Sequence, residues 1–113
     1  MARERAEAER LEAERRRQAA EAKKARRTRL NILKQRGASS VWREIEQEIE
    51  RRNPAGYDNA TSLLSDVQAL ALEEGNLDDF DRRLGTIRVR HVKKAKFIER
   101  LSKLGRDGDE RMV

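Results

Sequence analysis

The chain has 113 residues, of which 42% are charged and 36% hydrophobic, so it forms one domain at most and cannot pack its whole length into a core. It has no cysteine and one histidine, which excludes disulfides and zinc sites of the ordinary Cys/His type. The net charge of +6 is unevenly placed: residues 1–36 carry 13 basic and 6 acidic groups, residues 44–81 carry 2 and 11, and residues 82–113 carry 11 and 4.

This basic, acidic, basic order predicts that the acidic middle attracts a basic arm, either its own or that of another copy. Self-association through the basic arm and the acidic middle is therefore one expectation. No run of eighteen apolar residues exists, and the N-terminus lacks the apolar core of a signal peptide. We expect a cytoplasmic protein that does not bind membranes.

Residues 1–36 are predicted to form one long, solvent-exposed helix of about 50 Å, because they contain no helix breaker and are rich in Ala, Glu, Arg and Lys. Opposite charges recur four residues apart, as in Arg3 and Glu7, and each such pair adds about 0.2–0.5 kcal/mol. Heptad positions hold arginine and alanine rather than leucine, so a coiled-coil seam would be thin. We interpret this extended basic charged helix as an arm or spacer that ends at Gly37.

Residues 37–104 are predicted to form a small bundle of three to four helices, since they contain nearly all the large apolar residues. The segment from Tyr57 to Gly75 has a full helical face, an apolar stripe about 140° wide, and is the predicted central helix. The helix before it is predicted from about Val41 to Arg52, with Ser39 or Ser40 as its cap. The predicted core residues are Trp42, Ile45, Ile49, Tyr57, Leu63, Leu64, Val67, Leu70, Phe80, Leu84, Ile87, Ile98 and Leu101.

After Gly75 the pattern predicts two more helices and a tail. Asn76, followed three residues later by Asp79, is typical of a capping box that opens a helix. Later apolar residues lie off the axis of this helix, which predicts a bend near His91 and a short last helix from about Ala95 to Leu104. The polar residues 105–113 are predicted to form a disordered tail.

Nothing in the sequence indicates catalysis, a metal or a cofactor. The six glycines form no phosphate-binding loop, and no serine or threonine lies in a nucleophile pattern. Acidic residues cluster from Asp78 to Asp81, but carboxylates at a helix start serve its dipole. His91 falls on an apolar stripe, where a packed histidine is the simpler interpretation than a catalytic base. We therefore expect a protein that is not an enzyme.

Three segments resemble a known family when they are taken together: W-x-x-I-E-x-x-I-E from Trp42, then NPAGYDNATSLLSDVQALA from Asn53, then F-D-R-R-L-x-x-I-R-x-R-H-x-K-x-x-x-F-I-E-R-L from Phe80. The pattern is similar to the C-terminal helical segment of bacterial SWIM zinc-finger proteins. The resemblance implies an appended helical region in a bacterial protein. The zinc-binding motif of that family is absent here, so zinc binding is not carried over.

The functional signal lies in two basic runs, Lys23 to Arg36 and Arg82 to Lys96, each with seven basic residues and no acid. We expect a non-catalytic adaptor module that binds a protein partner through its helices. The alternative is nucleic-acid binding without sequence specificity, in which the basic runs track a phosphate backbone. The candidate contact residues for that alternative are Lys23, Lys24, Arg26, Arg27, Arg29, Lys34, Arg36, Arg82, Arg83, Arg88, Arg90, Lys93, Lys94 and Lys96.

Overall fold

The computed structural model describes the backbone of residues 2–111 and the side chains of residues 2–104. Over that range the chain is all-α, as predicted. The five helices are α1 Ala2–Arg36, α2 Ala38–Glu50, α3 Pro54–Glu74, α4 Leu77–Arg90 and α5 Ala95–Arg111. The predicted long N-terminal helix is confirmed, and it explains the elongated dimensions of 59 × 31 × 30 Å, since a helix of 35 residues is about 52 Å long. None of the described helices has the length and apolar content needed to cross a bilayer.

Helix α3 lies at the centre and contacts each of the other four helices. Ala60 and Leu64 on its inner face have no exposed surface, and α2 and α5 provide most of the core that surrounds them. Two aromatic pairs close this core. Trp42 lies 5.9 Å from Phe80 between ring centroids, and Tyr57 lies 5.8 Å from the ring of α5 residue Phe97.

The connection from α2 to α3 is short and closely packed. Arg52 follows α2 with a φ of 54°, a left-handed conformation that costs a non-glycine residue on the order of 1 kcal/mol. Asn53 then caps α3, because its Oδ1 accepts a 2.7 Å hydrogen bond from the backbone N–H of Gly56. A Cβ on Gly56 would lie 2.4 Å from the carbonyl oxygen of Glu48, so only glycine lets α3 begin this close to α2.

Two predicted caps are wrong in detail. Helix α2 begins at Ala38 rather than Val41, and Gly37 with a φ of 86° takes the N-cap position that was predicted for a serine. Gly37 therefore both ends α1 and opens α2, which leaves no room for a separate serine cap. Asn76 does precede α4, but its side chain makes no capping hydrogen bond. The turn at Gly75, with a φ of 75°, sets the direction of α4 without it.

The last helix is longer than predicted. Helix α5 begins at Ala95, as expected, but its backbone continues to Arg111 instead of ending at Leu104. The prediction of a tail rests on the polar composition of residues 105–113. Adding residues to a helix that is already packed through Phe97 costs far less free energy than nucleating a new one. The polar residues 105–111 therefore continue α5. The predicted tail also includes residues 112 and 113, which lie outside the described residues.

Two glycine-to-alanine substitutions provide a matched test of this packing. Gly56→Ala should lower the free energy of unfolding by about 1–3 kcal/mol, because the new methyl group meets the Glu48 carbonyl. Gly85→Ala, within α4 and with no atom within 4 Å of the added Cβ, should raise it by about 0.5–1 kcal/mol. Urea denaturation measures both values. A neutral Gly56→Ala would show that α2 and α3 are farther apart than described.

Candidate binding surfaces

Helix α1 is attached to the bundle only at its C-terminal end. Leu30 and Leu33 are buried, whereas every residue from 2 to 29 is exposed. The face of α1 that continues from Leu30 towards the N-terminus carries alanine and charged residues, so it has no apolar area to bury against the bundle. We call residues 2–29 the arm.

Ion pairs hold the base of the arm against α3. Arg27 donates to Glu73 at 2.6 Å, and Arg29 donates to Asp66 at 3.3 Å. One turn further on, Lys34 lies 3.6 Å from Glu74. The hydrogen bond from Arg27 lowers the pKa of the Glu73 carboxyl below its ordinary value of 4.5 and raises that of the guanidinium. The acidic middle of the sequence therefore pairs with the basic run of its own chain.

The first basic run consequently has fewer unpaired cations that could bind a polyanion. Four of its seven basic residues pair with carboxylates of the bundle, the fourth being Arg36, whose Nη1 lies 3.1 Å from Glu44. Among the described residues, Lys23, Lys24 and Arg26 have no ion-pair partner. They lie near the base of the arm, one to two turns before Leu30, which is the first buried residue of α1.

In the second basic run, too, some cations are paired with carboxylates and others are not. Arg82 and Arg83 both pair with Asp79, at 2.8 and 3.2 Å, and Arg83 also lies 5.7 Å from the centre of the Trp42 ring. This pairing gives Asp79, in the acidic cluster at the start of α4, a structural role. Arg90 donates to Glu46 at 2.7 Å and so links the end of α4 to α2.

His91 is the centre of a buried polar network that joins α4 to α2. Its side chain is 2% exposed, and its Nε2 lies 2.7 Å from a carboxylate oxygen of Glu46. Its Nδ1 lies 2.8 Å from Nζ of Lys94, which also approaches Glu50 at 3.7 Å. Because an ammonium group can only donate, Nδ1 accepts and Nε2 donates its proton to Glu46. The ring also contacts Phe97 edge-on.

One atom from each of Glu46, Glu50 and His91 lies within 4.8 Å of the others, a spacing at which side chains can hold a metal ion. Here the same atoms already have cationic partners, since Arg90 and Lys94 pair with the two carboxylates. A metal ion would have to displace both. The arrangement is explained as a hydrogen-bonded anchor for the end of α4.

A shallow groove of about 690 Å³ lies where the chain turns from α4 into α5. No carboxylate is among the described residues that line it. Val89 and Val92 are 76% and 62% exposed at this place, and three cations around them have no ion-pair partner in the described part of the chain. We call this surface the α4–α5 corner. Its defining residues are Arg52, Val89, Val92, Lys93 and Lys96.

A second, smaller cavity of about 150 Å³ lies beside Trp42 between the ends of α1, α2 and α3. Its walls are mainly apolar and include Leu33, Val41 and Leu70.

The structure places all the predicted core residues in or against the core. The partly buried ones that pack against it are Trp42, Tyr57, Leu63, Val67, Leu70 and Ile98, and the others are buried in it. The aromatic rings are thus packed against aliphatic and aromatic neighbours.

The sequence did not indicate that Arg52 or Val92 belongs to the corner. Arg52 follows α2, forty residues before Val92, and only the packing of α2 and α4 brings the two segments together. The sequence provides one weak signal: neither Val89 on α4 nor Val92, in the turn after α4, belongs to the apolar stripe that packs α4 against the bundle. The sequence predicts Leu72 and Val89 as exposed residues on which protein docking would depend. Both are exposed, but Leu72 lies on α3 and does not line the corner.

Comparisons with known proteins provide no relative: no family model matches the chain, and neither curated proteins nor solved structures return a match.

The pairing of Arg27 with Glu73 predicts a pH dependence. Because the folded pKa of Glu73 is lowered, its contribution to stability is present above pH 4.5 and is lost as the pH falls through the folded pKa. Wild-type protein should therefore be more stable than Glu73→Gln at neutral pH, and the difference should disappear in acid. Urea denaturation between about pH 3 and 7 measures it.

The matched control is Glu21→Gln, which removes an exposed carboxylate from the middle of α1 that has no ion-pair partner among the described residues. A stability difference between wild type and Glu73→Gln that stays constant down to the lowest pH would contradict the pairing.

Proposed function

We propose that this protein is a non-catalytic adaptor module that presents its arm to a protein partner. The observation that carries the proposal is the arm itself, 28 consecutive helical residues that are exposed on every side. A bacterial cytoplasmic setting, and a role as an appended segment like that of SWIM zinc-finger proteins, belong to the same proposal and rest on the sequence alone.

The way in which the C-terminal end of α1 is attached to the bundle supports this proposal. Leu30 and Leu33 are buried and the ion pairs from Arg27 and Arg29 lie on either side of them, so the last turns of α1 are fixed to α3. The arm is continuous with those turns. A helix that is anchored at one end keeps its direction, so a bound partner would be held at a defined distance from the bundle.

The charge of the arm favours a protein over a nucleic acid. Residues 2–22 contain six basic and six acidic residues, so most of the arm has no net charge. A rod that bound phosphates would need an excess of cations along its length. Leu11, at 51% exposure, gives the arm one large apolar group that another protein surface can cover.

The proposal is tested by placing a photo-crosslinking amino acid at position 11 of the full chain in cells that make it. We expect an adduct with a discrete protein that withstands nuclease, because Leu11 is the apolar point of contact. The matched control is the same amino acid at Glu9, which lies about 160° away around the helix and should yield several-fold less adduct.

Equal adduct from both positions, or none, would contradict protein docking by the arm. An adduct that nuclease removes would instead support binding of a nucleic acid.

A second candidate function, binding of nucleic acid without sequence specificity, is favoured by the α4–α5 corner. Lys93, Lys96 and Arg52 surround a groove without a lining carboxylate. The exposed Arg88 lies one residue before this surface, so a phosphate backbone would meet several cations together. In this form of the hypothesis the second basic run, rather than the first, makes the contacts.

A titration of labelled DNA duplex and RNA strand at about 50 and 200 mM salt separates the two candidates. If the adaptor proposal holds, neither should bind at the lower salt. If the second candidate holds, binding should weaken steeply with salt and should be lost in Lys93→Glu/Lys96→Glu but retained in the matched variant Lys23→Glu/Lys24→Glu. The equal charge change in the two variants makes the comparison specific to the surface.

A further inference from the structure

The arm has one face that combines an apolar group with negative charge. Leu11 is half exposed, and Glu4, Glu7 and Glu14 lie within about 60° of it around the helix axis. The arginine on this side is Arg15, so the face is net acidic although residues 2–22 as a whole have no net charge. We call these five residues the Leu11 face.

The α4–α5 corner has the opposite character. It combines two exposed valines, Val89 and Val92, with cations that have no ion-pair partner among the described residues. An apolar centre with charged groups around it is the usual composition of a small protein interface. The Leu11 face and the corner are therefore complementary in both charge and apolar content.

The two surfaces do not meet within one chain. Helix α1 is continuous from Ala2 to Arg36, and its first 28 described residues are exposed, so the arm does not lie on its own corner. Only a second copy can bring them together. From this, and building on the proposed role of the arm in protein docking, we infer that the Leu11 face of one copy binds the α4–α5 corner of another.

The sequence predicts that a basic arm meets an acidic middle, whereas in this contact the face of the arm is acidic and the surface it meets is basic. The basic base of the arm is paired with Glu73 and Asp66 of its own α3. Of the surfaces that remain unpaired, the Leu11 face of the outer arm is net acidic and the α4–α5 corner is basic. Since the arm and the corner are different surfaces, the contact closes into a dimer when two copies exchange arms and otherwise adds further copies.

The contact is small, because Glu4 to Arg15 span about 17 Å of helix, and its charged groups are exposed. Interfaces of this kind are weak and depend on salt. In light scattering, the mass of the full chain should rise above 13.1 kDa with concentration at about 50 mM salt and return to it at about 500 mM. A plateau at twice that mass would indicate reciprocal exchange of arms.

Charge reversal tests which surfaces are used. Glu7→Lys/Glu14→Lys on the arm should weaken self-association at least about tenfold, and so should Lys93→Glu/Lys96→Glu on the corner. The two variants mixed in equal amounts should associate, because lysines of one arm then meet glutamates of the other corner. Recovery in the mixture is the result that a merely structural effect of either variant would not produce.

The control variant is Glu9→Lys/Glu12→Lys, which changes the net charge equally on the other side of the arm and should associate as the wild type does. Melting followed by circular dichroism verifies that each variant is folded.

A mass of 13.1 kDa at every concentration and salt would overturn the inference, as would a loss of association in the control equal to that in Glu7→Lys/Glu14→Lys. If the chain stays monomeric but position 11 still crosslinks to a different protein, this inference fails and the adaptor proposal stands. If the corner variant loses binding to a labelled duplex while the mass stays monomeric, the corner serves a polyanion instead.

Discussion

Helix α3 is packed on several sides at once, and the position of every other helix depends on that burial. Ala60 and Leu64 are fully buried where α2 and α5 meet it, while the end of α1 and the start of α4 cover its C-terminal half. A single helix of 21 residues thereby organises a bundle that would otherwise have too small a core for its charge. The remaining length of α1 extends beyond it because nothing apolar is left to bury.

The distribution of free charge follows from this packing. Once α1 lies on α3, cations at its base are paired with carboxylates of the acidic middle, and the same middle pairs with Arg90 through Glu46. Among the described residues, the cations left without an ion-pair partner include Lys23, Lys24 and Arg26 at the base of the arm and those of the α4–α5 corner, whereas residues 2–22 have no net charge. Both functional proposals concern what remains unpaired after folding, rather than the total charge.

The corner depends on two local features that hold it in place. The buried ring of His91 fixes the end of α4 against Glu46, and Lys94 closes the network from the following turn. Arg52 enters the groove from a left-handed turn, where the backbone would accept glycine more readily. The left-handed turn thereby places the Arg52 cation beside the groove of the α4–α5 corner.

The helical fold, the long first helix and the breaks at Gly37 and Gly75 follow from the sequence alone, because periodicity and backbone restriction act over a few residues. It did not determine the extension of α5, which depends on the docked turns before Gly105. Only the tertiary structure decided which cations are paired, since Arg27 and Glu73 are 46 residues apart and meet only when α1 lies on α3. The corner is likewise a product of folding, because long-range packing alone brings Arg52 beside Val92.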